Sequence, residues 1–156
     1  MASKAKKIDE IDLEILKILQ VNSKTSYRDI QESLNISIGT IHNRINDLKH
    51  ENGGPIEGYG VHLNNKLLGY DFMFLIQFEV EGYILDETLK ELRSIPEICS
   101  ILNTTGERSV TLICHFKSLD NSHLFIRELN KNAHVSNVVS NLVLNTYKND
   151  PSVQIQ

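Results

Sequence analysis

The sequence predicts an α+β protein in two parts, a small helical unit over residues 1–52 and a βαββαβ sandwich over residues 67–148, joined by a linking strand within 53–66. Three observations carry that reading. Apolar residues recur at helical spacing in three short blocks that end at Asn52-Gly53-Gly54-Pro55, a run no helix crosses. Alternating apolar residues then mark strands over 71–81, 97–104, 109–117 and 135–147. Between those strands lie two further helical blocks, one starting near Asp86 and stopped by Pro96, the other spanning 119–132.

In the first block, residues 9–20, Ile11, Ile15 and Ile18 form one line with Leu16 and Leu19 beside them, and Asp9 and Asp12 suit the positive N-terminal end of a helix. The second block opens with Ser26-Tyr27-Arg28-Asp29, which has the form of a capping box, and turns Tyr27, Ile30 and Leu34 inward. Asn35 tolerates a left-handed turn and leaves only a short link to the next cap, Ser37. The third block places Ile38, Ile41, Ile45 and Leu48 on a buried stripe. Gly39, Thr40, His42, Asn43 and Asn46 fall on the opposite side, with Arg44 at the flank. Two helices joined this tightly behind a third make a helix-turn-helix. The small polar face of the third helix suits close approach to base edges in a major groove.

Residues 59–63 alternate as a strand does, a wing for the helical unit or an arm for a second copy, and the boundary between the halves is expected in Asn64-Asn65-Lys66. In the strand at 71–81, Phe72, Phe74, Ile76, Phe78 and Val80 share one face, with Met73 and Leu75 on the other. That second apolar face exceeds what a solvated sheet needs, which points to cover by another subunit. The first intervening helix turns Leu85, Leu89 and Leu92 inward, and the second Leu119, Ile126 and Leu129. Two successive βαβ halves describe a ferredoxin-like sandwich, and residues 149–156 form a C-terminal tail.

Net charge is −4, and its distribution matters more than its sum. Residues 1–52 hold eight basic and eight acidic residues, and the remainder eight and twelve. Three of the first eight, Lys4, Lys6 and Lys7, lie in a basic tail over 1–7 expected to be flexible. A single neutral module would bind DNA weakly, so linked copies are expected. No run approaches the roughly 20 apolar residues of a membrane span. The first residues lack the apolar core of a secretion signal, so a cytoplasmic protein with no membrane partner is expected. Cys99 and Cys114 are too few for a disulfide framework and are expected as reduced thiols roughly opposite each other on a hairpin.

Several motifs in sequence order then become specific: Ile8-Asp9-x-x-Asp12-x-x-Ile15-Leu16-x-x-Leu19, Ser37-x-x-Thr40-Ile41-x-x-Arg44-x-x-x-Leu48, Ile56-x-Gly58-Tyr59 and Leu68-Gly69-Tyr70. Together they resemble the Lrp/AsnC family of transcriptional regulators, from about Ile8 to Lys148. The resemblance implies a winged helix-turn-helix joined to a ferredoxin-like sensing domain, and double-stranded DNA as partner. It implies homodimers formed through the sheets and linking strands, assembling to octamers or similar, with small molecules, usually amino acids, bound in the sensing half. By that resemblance Ser37, Thr40 and Arg44 match the DNA-binding pattern, while His42 and Asn43 occupy positions that set operator choice. Gly39 and Asn46 share the same face, and Lys24 and Arg28 are expected phosphate contacts. A rival reading makes Arg44 a structural ion-pair partner of the third helix.

The family commonly carries Gly-Asp-Tyr-Asp in the sensing loop, where this chain has Gly106-Glu107-Arg108-Ser109. Ser109 stands where a carboxylate often would, so ordinary amino-acid binding is not implied. Glu107 and Arg108 would instead meet a different zwitterion or an anion, or serve as solvated turn residues. No cofactor, metal or catalytic residue is expected. The alternatives are a sirohaem-decarboxylating enzyme on the same architecture, for which His62, His115, His123 and His134 lack a partnered spacing, and a sensing or assembly partner without DNA binding.

Overall fold

The computed structural model describes residues 7–150 and 152–155. The basic tail expected at residues 1–7 lies, apart from Lys7, outside them. The chain divides into two compact units, the break falling after His62, and the second unit spans Leu63–Asn149. Of the described residues beyond Asn149, Asp150 and 152–155 group with the helical unit.

The helical unit contains α1 (Glu10–Val21), α2 (Tyr27–Leu34) and α3 (Ile38–Asp47). Its helix starts are fixed locally. Asp9 accepts from the Asp12 amide at 2.8 Å while the Asp12 carboxylate accepts from the Asp9 amide, and Ser26 and Asp29 make the same reciprocal pair at α2. Asn35 ends α2 with φ +53°, as its residue type predicts. The core is small: Ile15, Leu19, Ile30, Ile41, Ile45 and Leu48 are buried, with Leu16, Ile18, Leu34, Ile36 and Ile56 packed against them. With few side chains each contributing about 2 kcal/mol of burial, caps contributing about 1 kcal/mol each matter to whether the helices form.

Four expectations are corrected here. The buried line of α1 runs through Asp12, Ile15 and Leu19, and Ile11 is exposed. Ile38 and Tyr27 are also exposed, because each sits in the first turn of its helix, where the short link carries it clear of the core. Residues 57–64 form no strand. A strand needs a hydrogen-bonded neighbour, and among the described residues the backbone bridge in this region is Lys49 with Ile56. Tyr59, Val61 and Leu63 remain exposed.

The second unit contains β1 (Phe72–Val80), α4 (Leu85–Leu92), β2 (Ile98–Asn103), β3 (Val110–Phe116), α5 (Leu119–Lys131) and β4 (Val135–Leu142). The strands form one antiparallel sheet in the order β2-β3-β1-β4, which places β1 and β3 centrally. Phe74, Ile76 and Phe78 face Cys114, Leu112 and Val110 across the register, and the helices add Leu92 and Leu129 to that core. On the opposite face Met73, Leu75 and Ile113 are half-buried. Ser122, not the exposed Leu119, is buried on α5, and β4 stops at Leu142 instead of 147.

The two cysteines do not face each other. Cys114 pairs with Ile98, and the register slips between Ile98 and Ser100, so Cys99 sits in the irregularity and is exposed. Burial pushes the Cys114 thiol up to about 12, with Cys99 and Glu97 adding to the shift. Native-state alkylation is therefore expected to modify Cys99 while Cys114 stays protected until denaturant is added; equal labelling rates would contradict this placement.

The turn after α3 makes a second expectation. The Ile56 amide donates to the Leu48 carbonyl and the Gly54 amide to the Lys49 carbonyl, folding the chain back on the helix end. A Cβ at Gly54 would lie 2.1 Å from the Leu48 carbonyl carbon and oxygen. Gly54→Ala is expected to lower the stability of the helical unit by more than about 2 kcal/mol, measured by denaturant unfolding. Wild-type stability in that variant would contradict the close approach.

Candidate functional site

The outer face of α3 is built on a capped start. Ser37 Oγ accepts from the Thr40 amide at 3.1 Å and shares a 2.9 Å hydrogen bond with Thr40 Oγ1, so the two hydroxyls hold each other in place. Gly39, Thr40, His42, Asn43 and Asn46 are all exposed on this face. The His42 ring stands edge-on to Tyr27, with centroids 6.1 Å apart, which braces it from α2. A Cβ at Gly39 would meet nothing nearer than Ser37 Oγ at 3.8 Å, so packing within the chain does not require glycine there. Lys24 and Arg28 are exposed, Lys24 in the turn after α1 and Arg28 in the first turn of α2.

Arg44 was expected at the flank of this face with two readings, DNA contact and structural ion pair, and the geometry bears on the second. Its Nη1 lies 2.7 Å from Asp9 Oδ2 and 2.8 Å from Asp12 Oδ1, with Asp12 1% exposed. Two carboxylates at the start of α1 draw the guanidinium towards the core, and the structural ion pair is the role this geometry supports. The Arg44 hydrogen bond holds the Asp9 carboxyl below its ordinary range, and Asp9 and Asp12 raise Arg44 in turn.

The second candidate region is the loop between β2 and β3. Gly106 takes φ +111°, and Thr104 closes the loop by donating its amide to the Ser109 carbonyl and its hydroxyl to the Arg108 carbonyl. Ser109 Oγ accepts from the Val80 amide, while Arg108 Nε donates to the Asn137 carbonyl at 3.3 Å. Arg108 is thus turned onto β4. An open cavity of about 330 Å³ is lined by Glu79, Val80, Glu81, Gly106, Glu107, Ser109 and Ser136.

Glu79, Glu81 and Ser136 were not singled out in the sequence; the only signal for them was their place at the ends of β1 and β4, beside the β2–β3 turn in a βαββαβ order. Glu79 accepts from Asn137 Nδ2 at 2.7 Å and from Ser136 Oγ. Asn137 has φ +53°, beside the register shift between β1 and β4 that turns these groups towards the cavity. Hydrogen bonds from Tyr83 and then His134 hold Glu81 below the ordinary carboxylate range. Of the other histidines, His115 has a buried Nδ1 without a hydrogen-bond partner, and its burial lowers its pKa.

A helix-turn-helix with an open polar third helix, followed by an α+β sandwich, is a build that transcriptional regulators use, although a fold by itself does not fix a function. Comparison with known proteins makes this specific. Residues 8–51 match the family described as winged helix-turn-helix DNA-binding, and residues 73–153 match the Lrp/AsnC ligand binding domain. The chain is 32% identical to the HTH-type transcriptional regulator Ptr1 of Methanocaldococcus jannaschii, over 95% of this chain and 99% of that protein. Escherichia coli AsnC has the same fold, with TM-score 0.85 and 24% identity over 96% of this chain and 99% of AsnC. A Neisseria meningitidis transcriptional regulator solved as an L-Met complex gives TM-score 0.85 and 22% identity, over 94% of this chain and 96% of its own. This chain belongs to the Lrp/AsnC family of transcriptional regulators, not to the enzymes considered as an alternative.

Arg44→Ala is expected to cost roughly 3 kcal/mol of helical-unit stability, because the buried Asp12 loses that cation. The pH dependence has a definite sign. Asp9 is depressed in the folded state, so its stabilisation is complete above the ordinary carboxylate pKa and is lost as pH falls through the depressed value. The variant should therefore lose less stability on acidification below pH ~4 than the wild type. Denaturant unfolding at neutral and acid pH checks both; equal stability of the two proteins at neutral pH would exclude the structural role.

Proposed function

We propose that this chain is a sequence-specific DNA-binding transcriptional regulator that binds operator DNA as a dimer or higher oligomer and responds to a small molecule. What carries the reading is the outer face of α3, where Gly39, Thr40, His42, Asn43 and Asn46 stand exposed together beside Ser37. Such a face can enter a major groove: the missing side chain at Gly39 lets the backbone approach, Asn43 can pair with an adenine edge, and His42 is already braced by Tyr27. Lys24 and Arg28 would take phosphates, while Arg44 holds the helix instead of reading the bases.

Dimers would form through the half-buried apolar sheet face of Met73, Leu75 and Ile113, with the unpaired residues 57–64 finding a partner on the second copy, and dimers would assemble further towards octamers. The effector would occupy the cavity beside Gly106, Glu107 and Ser109. Although Ser109 supplies no charge, Glu79, Glu81 and Glu107 line the same space and could receive an ammonium group, which fits an amino acid or a related amine. Arg108 would orient β4 rather than contact the ligand. A cytoplasmic location follows from this role.

Asn43→Ala is expected to weaken binding to the selected operator by about 5- to 150-fold, the range for losing one bidentate base contact, while binding to unrelated DNA stays the same. Fluorescence anisotropy at one fixed salt concentration reads both quantities. Undiminished preference for the operator would contradict the assignment.

A further inference from the structure

The helical unit is not one uninterrupted run of chain: it takes in α1–α3 and also the segment from Asp150 onward. The contact that seats this segment is specific. Gln20, in the last turn of α1, donates from Nε2 to the Val153 carbonyl at 2.7 Å and accepts at Oε1 from the Ile155 amide at 3.2 Å. Those two backbone groups flank Gln154 on one edge of the segment, so a single side-chain amide takes the place of a neighbouring strand. An amide reads backbone and leaves register open. Ile155 is half-buried where Val153 is 87% exposed.

The topology gives this contact its consequence. The chain leaves the helical unit after His62, builds the entire βαββαβ unit, and rejoins the helical unit at Asp150. The outgoing connection, residues 57–64, carries Gly58 and Gly60, forms no strand and is exposed throughout, so alone it would be a compliant tether. We propose that residues 152–155, clipped by Gln20, form a second and releasable strap between the sensing unit and the DNA-reading unit.

Two exposed hydrogen bonds hold such an intramolecular contact only modestly, which suits a strap that opens and closes more than a permanent joint. With the segment seated, the outer face of α3 is exposed. The strap therefore governs how freely the reading head moves and not whether its surface is covered. A change at β4, whose second residue Ser136 lines the cavity, would reach α1 along this route.

The test uses the full-length protein, Gln20→Ala, and a chain ending at Asn149. Hydrogen exchange over residues 152–155 should rise about 3- to 10-fold in Gln20→Ala, as expected for losing exposed hydrogen bonds. Protease cleavage within 57–64 should accelerate in Gln20→Ala and equally in the shortened chain, and combining the two changes should add nothing further. Neither change removes a core side chain, and thermal unfolding of each variant checks that the helical unit remains folded. Unchanged exchange in Gln20→Ala, or linker cleavage indifferent to loss of the segment, would overturn the proposal.

Discussion

The ion cluster of Asp9, Asp12 and Arg44 is the constraint on which the reading head depends. It joins the first turn of α1 to the middle of α3, across a core of only six buried apolar side chains. The same two carboxylates also cap α1, so one pair of residues starts a helix and fixes its orientation to another. A desolvated carboxylate is costly without a cation, and Asp12 is 1% exposed with Arg44 2.8 Å away. The ion pair thus ties the start of α1 to α3 on the side away from the exposed polar face.

From that constraint the division of labour along α3 follows. Ile41, Ile45 and Leu48 hold the helix to the core and Arg44 holds it to α1, which leaves the remaining side free of structural duty. Ser37 and Thr40 spend their hydroxyls on the helix start. The residues with no bond to keep inside the unit's core are the small and amide-bearing ones, and such residues can be exchanged without disturbing the fold.

Much of this was legible in the sequence because it is local. The capping box at Ser26, the acidic start of α1 at Asp9 and Asp12, the left-handed Asn35, and the βαββαβ order depend on residues a few positions apart. What the sequence hid is non-local. Asp12 reads as a surface residue until a cation from 32 positions away is placed against it, and for the same reason the sequence leaves Arg44 with two readings, DNA contact and structural ion pair. Cys99 and Cys114 looked opposed until the register shift in β2 displaced one of them. Glu79, Glu81 and Ser136 become neighbours of Gly106 only once the strands are paired. The alternation at 59–63 led to a strand that does not form, because a strand also needs a hydrogen-bonded neighbour and periodicity does not show whether one is present.

The proposed function requires copies working in pairs, because one electrically neutral head would have little phosphate affinity of its own. Footprinting of the full-length protein on its own promoter examines this most directly. Protection is expected in two half-sites on one face of the duplex, separated by about one helical turn or a whole multiple of it. A single isolated protected site, or uniform coverage without sequence preference, would contradict the account.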